Sequence, residues 1–274
     1  MSGQPPPAER GAVRLEPPGA DVVGIRAHNP GPLSLSGTNS WIVGRDPAWL
    51  IDPGPDLPEH IAALEAEITR RGGLGGIALT HDHIDHVEAV PRWRARHPGT
   101  PVAGGRGRVD VRLHEGARVG PLEAMAAPGH APDHFVFLAG PAAFTGDVVL
   151  GEGSVFVAPG PGALRSYLEA LRRLRERAPA VICPGHGPLV ADPAAKLDEY
   201  IAHRLERERR LVAALAAGRR SVDALLDAAW SDAPAQLRAI AAVTLAAHLD
   251  KLAEEGRLPA GVERPEVPAG WVGA

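Results

Sequence analysis

The chain has 274 residues, 45% of them hydrophobic, with a formal net charge of −4. That length holds one large domain or a domain with a small appendage, and the slight acidic excess argues against a surface built to grip long nucleic acid. No apolar run reaches the ~18 residues that a membrane span requires, and Cys183, the only cysteine, leaves no internal disulfide, which fits a reducing cytoplasm.

The Pro-rich start lacks both a basic n-region and an apolar h-region, so residues 1–12 read as a loose tail rather than a signal peptide. Residues 13–15 and 22–25 read as short strands, and 41–44 with 49–52 as a hairpin turned at Arg45-Asp46-Pro47. An amphipathic helix over 58–71 carries Ile61, Leu64 and Ile68 on one stripe and stops at Gly72-Gly73. The apolar run 76–80 is a buried strand, after which the chain turns into a helix that Pro91 limits to its first turn. Short alternating runs at 101–103, 109–113, 122–126, 134–138 and 142–145 form a second strand-rich half. A helix follows over 163–177, with Leu164, Leu168, Leu171 and Leu174 on one face, then a buried strand over 180–183. Two strand-rich halves with helices between and after them predict stacked sheets covered by helices, an α/β sandwich over residues 13–191.

Residues 192–274 change character. One long helix spans 192–217, Ser221 caps a short helix over 222–229, and 234–255 supplies one or two more before Gly256. Three helical units and a short extended tail predict a helical, winged-helix-like appendage. Arg204, Arg207, Arg209 and Arg210 alternate with Glu206 and Glu208, the pattern of a solvated face laced with ion pairs.

The chemistry concentrates in Thr80-His81-Asp82-His83-Ile84-Asp85-His86, which packs four metal-ligand residues into six positions. In extended chain His81 and His83 face the same side. A helix starting after them swings Asp85 and His86 to a second point nearby, so one tight turn offers ligands to two adjacent ions. His130 in Pro-Gly-His, Asp147 in Thr-Gly-Asp and His186 in Pro-Gly-His-Gly each follow an apolar run and stand where loops would gather them. Asp82 is expected to point away, and Cys183 to be an inert core thiol.

His81-x-His83-x-Asp85-His86 followed by His130, Asp147 and His186 resembles the metallo-β-lactamase fold superfamily of hydrolases. Within it the chain is similar to the β-lactamase-like protein 2 group. The shared features are Asn29-Pro30-Gly31-Pro32 with Gly37-Thr38-Asn39, Pro128-Gly129-His130-Ala131-Pro132-Asp133-His134, Phe144-Thr145-Gly146-Asp147 with Gly151-Glu152-Gly153, and Cys183-Pro184-Gly185-His186-Gly187-Pro188. The resemblance implies an αββα sandwich with a winged-helix-like C-terminal part. It implies that His81, His83 and His130 hold one metal, that Asp85, His86 and His186 hold the other, and that Asp147 bridges them. Asp85 and His134 then become candidates for catalysis, Asp85 by orienting the attacking water and His134 by stabilising an oxyanion or protonating a leaving group.

Imidazoles and carboxylates without thiolate suit two Zn2+ ions, with iron or manganese as other occupants. Such a pair, ~3.5–4 Å apart, makes water a nucleophile at neutral pH. His83 stands where flavo-diiron relatives carry a carboxylate, which argues against redox iron chemistry. Asp147 stands where one group of true β-lactamases has a thiolate, which argues against an antibiotic-destroying role. The resemblance leaves two substrates, single-stranded RNA and a small-molecule ester or thioester of the glyoxalase II or carrier-protein type. A non-catalytic nucleic-acid-binding protein would have eroded ligands, and all seven are present. No membrane partner is expected, and the long Arg/Glu helix is a candidate homodimer interface.

Overall fold

A computed structural model describes residues 13–267, so the expected tail at 1–12 lies outside the described residues. Seven strands form the first sheet in chain order: β1 (Val13–Leu15), β2 (Val22–Arg26), β3 (Asn39–Val43), β4 (Ala48–Ile51), β5 (Leu74–Ala78), β6 (Val102–Gly104) and β7 (Val111–Arg112). It is antiparallel from β1 to β4 and parallel from β4 to β7. The parallel part needs crossovers. These are α1 (Pro58–Arg70), and α2 (Ile84–Val87) with α3 (Val90–Arg96). The second sheet has the order β12-β11-β10-β9-β8, built from β8 (Arg118–Val119), β9 (Leu122–Ala126), β10 (Phe135–Ala139), β11 (Ala142–Gly146) and β12 (Val181–Pro184). Its one parallel pair, β11 with β12, is joined through α4 (Ala163–Glu176).

The sheets stack face to face. Trp41, Val43 and Ile51 meet Leu122, Phe137, Phe144 and Cys183 between them, with Trp41 and Phe144 ring centroids 6.0 Å apart. Gly24 lies against the Trp41 indole, where a Cβ would come within 2.4 Å of the ring. On the outer face of the first sheet Ile42, Leu50 and Ile77 pack on Ile61, Leu64 and Ile68 of α1 and Trp93 of α3. On the outer face of the second, Val136, Ala143 and Ile182 pack on Leu164, Tyr167, Leu168 and Leu171 of α4. The alternation of inward and outward residues in a strand covered on both sides explains why every residue of β3 and β4 is buried. The αββα sandwich expected from the sequence is present.

Three details differ from the expectation. Pro91 does not stop a helix but opens α3, because the first turn has no use for its missing N–H. Strand β8, two residues long, carried no readable pattern. The helical tail consists of α5 (Pro193–Ala216), α6 (Val222–Ala229, capped by Ser221) and α7 (Arg238–Glu254), and among the described residues no strand follows Pro184 that could form the expected wing. The extended tail makes one backbone bond to the α5–α6 loop, Glu263 N–H to Arg220 C=O at 2.9 Å.

The helix that starts at the expected boundary, α5, is shared between two cores. Leu197 and Tyr200 of α5 complete the outer layer of the sandwich, while Leu211 and Leu215 pack with α6 and α7. Among the described residues no helix is long and apolar enough to cross a membrane.

Candidate metal centre

Parallel β4 and β5 point their C-terminal ends the same way, as do β11 and β12, and β9 runs with β11 because both are antiparallel to β10. The sheets are tied together where these ends emerge, through Asn39 N–H to Gly185 C=O and Phe135 N–H to Thr80 C=O, each 2.7 Å. One rim therefore receives Asp52 after β4, His81 to His86 after β5, His130 after β9, Asp147 after β11 and His186 after β12. His83 is still extended and α2 starts at Ile84, so the turn presents its ligands as two pairs, as the spacing requires.

The ligand atoms of His81, His83, His130 and Asp147 all lie within 4.8 Å of one another, and so do those of Asp85, His86 and His186. All seven candidate residues thus converge, Asp147 grouping with His81, His83 and His130. Asp147 joins the two groups, with Oδ2 3.6 Å from His130 Nε2, and Oδ1 3.6 Å from His86 Nε2 and 3.4 Å from His186 Nε2. Asp85 Oδ2 closes the second group at 3.2 Å from His186 Nε2.

Four imidazoles are anchored by their outer nitrogen. His81 Nδ1–H donates to Thr80 Oγ1 at 3.0 Å, and that hydroxyl donates to Asp52 at 2.7 Å. His86 Nδ1–H donates to Asp52 at 2.9 Å, His130 Nδ1–H to Phe156 C=O at 3.2 Å, and His186 Nδ1–H to Gly37 C=O at 3.3 Å. Each bond fixes the ring orientation and turns Nε2 inward, as a lone pair in the neutral His81 and His130 rings. His83 offers Nδ1 instead, 3.0 Å from His130 Nε2.

The inward atoms are short of partners. His81 Nε2, His86 Nε2 and Asp147 Oδ1 are buried with no hydrogen bond, although leaving a buried polar group unsatisfied costs about 1–3 kcal/mol. Gly185 keeps the space open, since a Cβ there would lie 2.6 Å from Asp147 Oδ1 and 2.8 Å from His86 Cε1. Lone pairs and carboxylate oxygens aimed at a common point, with nothing else to bond, fit divalent cations.

Electrostatics separate the two groups. Burial drives the His81, His83 and His130 imidazoles down, the last to about 4, so they are neutral. Burial also opposes charge on His86 and His186, yet Asp85 and Asp147 outweigh it and hold protons there up to about 9 and about 10. Burial would raise the two carboxyls, but His86 and His186 pull Asp85 down to about 2 and Asp147 well below the usual carboxylate range. Positive charge is favoured beside Asp85 and Asp147, which is where a second cation would sit.

His134 is buried and stacks on His81 with centroids 4.6 Å apart, and its Nε2 accepts the Asp147 N–H at 3.1 Å. Asp82 turns outward to Arg106 at 3.6 Å, and Cys183 lies buried between the sheets. Asp52, the last residue of the expected hairpin, was not among the candidate site residues. Its Oδ1 accepts the Thr80 N–H at 2.8 Å, so this one carboxylate orders the whole turn between His81 and His86. The available signal was its place directly after an apolar strand, the same position that singled out Asp147. Thr38 was missed too. Its hydroxyl donates to Asp85 at 3.3 Å and accepts from Asn29 Nδ2 at 2.9 Å.

A sequence profile described as the Metallo-beta-lactamase superfamily matches residues 33–109 and 98–186, which are the segments that carry the seven candidate ligands. With the αββα fold and this rim of histidines and aspartates, the chain belongs to the metallo-beta-lactamase superfamily. It is 30% identical to the Beta-lactamase-like protein 2 homolog of Caenorhabditis elegans, over 92% of this chain and 90% of that protein. It is 35% identical to the Atrochrysone carboxyl ACP thioesterase of Aspergillus chevalieri, over 71% of this chain and 65% of that one. Among solved structures, a beta-lactamase domain protein from Burkholderia ambifaria superposes with a TM-score of 0.71 at 20% identity, covering 94% of this chain and 91% of the other.

Proposed function

We propose that this chain is a dinuclear metal-dependent hydrolase acting on an acyl thioester. The observation that carries the proposal is the Asp147 carboxylate, one oxygen toward His130 and the other toward His86 and His186. His81, His83 and His130 would hold one ion and Asp85, His86 and His186 the other, with Zn2+ the metal proposed because the donors are imidazole and carboxylate without thiolate. When bound, two such ions make water nucleophilic near pH 7 and polarise the oxygen of the group under attack. Asp85, kept ionised, accepts a hydrogen bond from the attacking water and orients it. His134, the second residue assigned to catalysis, accepts the Asp147 backbone N–H through Nε2, so Nδ1 carries the ring hydrogen and is the donor left for a substrate oxygen.

Two observations support a thioester. A relative named as a thioesterase shares 35% identity over 71% of the chain, and the exposed arginines of α5 are engaged with carboxylates instead of forming a free basic stripe, Arg209 and Arg210 with Glu206 at 2.6 and 2.8 Å. A second reading, single-stranded RNA cleavage, follows from the resemblance to the β-lactamase-like protein 2 group. Its support is that the similarity to one such homolog extends over 92% of this chain and so reaches into the helical tail.

Zn2+-loaded protein assayed against an acyl-carrier-protein thioester and against single-stranded RNA tests both. The expected result is thioester cleavage that disappears with His83→Ala, and intact RNA. Cut RNA with an untouched thioester would replace the first reading by the second.

A further inference from the structure

Arg204 lies in the middle of α5 and is 2% exposed, not on the solvated face its sequence pattern predicts. Its guanidinium meets no carboxylate in its hydrogen bonds. Nη2 donates to Ser154 Oγ at 2.9 Å and to the Val155 carbonyl, Nε has no partner, and the group lies over the Tyr167 ring at 5.6 Å. Burying a guanidinium without a counter-charge is costly, so the contacts it makes repay inspection.

The segment it grips, residues 147–158, starts at the shared ligand Asp147 and is fastened from below by the covering helices. Tyr167 O–H donates to Val148 C=O at 2.7 Å, and Leu150 N–H donates to the Tyr200 hydroxyl at 3.1 Å. Those two bonds hold its first half, and Arg204 holds the second. The residue after Val155 is Phe156, whose carbonyl accepts His130 Nδ1–H at 3.2 Å and whose ring packs on the His130 imidazole at 4.6 Å. Two residues on, Ala158 N–H donates to Gly129 C=O at 3.2 Å. The 155–158 strip is thus bonded to the His130 loop on one side and to Arg204 on the other.

We infer that Arg204 is a positioning residue for the metal centre, clamping the 155–156 peptide so that the Phe156 carbonyl holds His130 Nε2 toward His83. Through this contact α5 acts on the site formed by His81, His83 and His130, and much less on the one formed by Asp85, His86 and His186. The inference rests on the dinuclear reading above. Both bonds leave one nitrogen, Nη2, whose two N–H directions are fixed in the guanidinium plane, and a lysine ammonium reproduces the charge without those fixed directions or the ring contact with Tyr167.

Three variants test it: Arg204→Met, which keeps the stem and loses the guanidinium, Arg204→Lys, and Leu245→Ala, which loosens the core of the helical tail without touching residues 147–158. Amide hydrogen exchange is followed at Ala158 in the metal-free protein, and Zn2+ affinities are measured by competition with a chromophoric chelator. Arg204→Met is expected to speed Ala158 exchange and to weaken one of the two Zn2+ sites by about tenfold or more, leaving the other unchanged, with Arg204→Lys between. Leu245→Ala is expected to lower the melting temperature and change neither readout. Unchanged Ala158 exchange in Arg204→Met overturns the inference, as do faster exchange with unchanged Zn2+ affinities and equal weakening by Arg204→Met and Leu245→Ala. Wild-type protein that takes up no Zn2+ overturns the dinuclear reading, whereas the exchange comparison in metal-free protein decides the clamp by itself.

Discussion

Histidines are buried both at the rim of the sandwich and under the helical tail, and only the first of these looks like a ligand site. At the rim of the sandwich four rings bond outward through Nδ1 and leave Nε2 aimed at a point shared with Asp85 and Asp147. Under the helical tail His248 is 1% exposed with neither ring nitrogen bonded, its ring edge-on to Trp230 at 5.7 Å. His203, nearby on α5, accepts from Arg207 Nε at 3.1 Å. Arg207 is itself neutralised by Asp232. Burial and missing hydrogen bonds are common to both places. Convergence is not: a metal centre needs anchored rings and carboxylates whose free atoms meet, and the tail's polar residues either pair off or stand alone.

The sharpest way to break that comparison is Asp147→Asn. A group that merely orients a ligand is worth about 10–100-fold in metal affinity, so a carboxylate shared by both groups is worth more. Both Zn2+ affinities are expected to fall by more than ~100-fold, with thioester hydrolysis lost alongside, as read by metal content and chelator competition. Loss of a single ion would show that Asp147 serves one group only.

The tail histidine predicts a pH effect of the opposite kind, on stability and not on metal. Burial, helped by Arg204 and Lys251, pushes the His248 imidazole from 6.5 down to about 3. Below pH 6.5 the unfolded chain takes up a proton that the folded chain refuses, so this residue costs stability as pH falls, about 2 kcal/mol by pH 5. Between pH 7 and pH 5 His248→Leu is expected to lose less stability than wild type in urea melts. Parallel curves would show that His248 is not held neutral.

Much of the site was legible because its information is local. The spacing of His81, His83, Asp85 and His86 fixes their directions once a strand-to-helix turn is granted, and His130, Asp147 and His186 each mark the end of an apolar run. What escaped depends on contacts distant in sequence. Asp52 acts on Thr80 and His86 across neighbouring parallel strands, and its place after an apolar strand marks a rim position without naming those partners. Pro91 was weighed by its rule for helix interiors when it occupies a first turn. Arg204 and Arg207 carry the same local pattern as Arg209 and Arg210, and burial by residues 151–158 and by α6 separates them only in three dimensions.

That arginine row also supplies the smallest expected effect. Arg209 bonds Glu206 at 2.6 and 2.7 Å, but both side chains stand in solvent, where Coulomb attraction is weak and ordering two long chains offsets it. Arg209→Ala is expected to move the melting temperature by less than about 1 °C. Arg207→Ala, three places from Arg210 in the same row, strips a buried bond to the Ala229 carbonyl together with the Asp232 pair, and is expected to cost several degrees. The two substitutions are alike in sequence and charge, so a difference between their melting curves measures what burial alone contributes. Equal melting temperatures would mean that the junction under the tail is as wet as the outer face of α5.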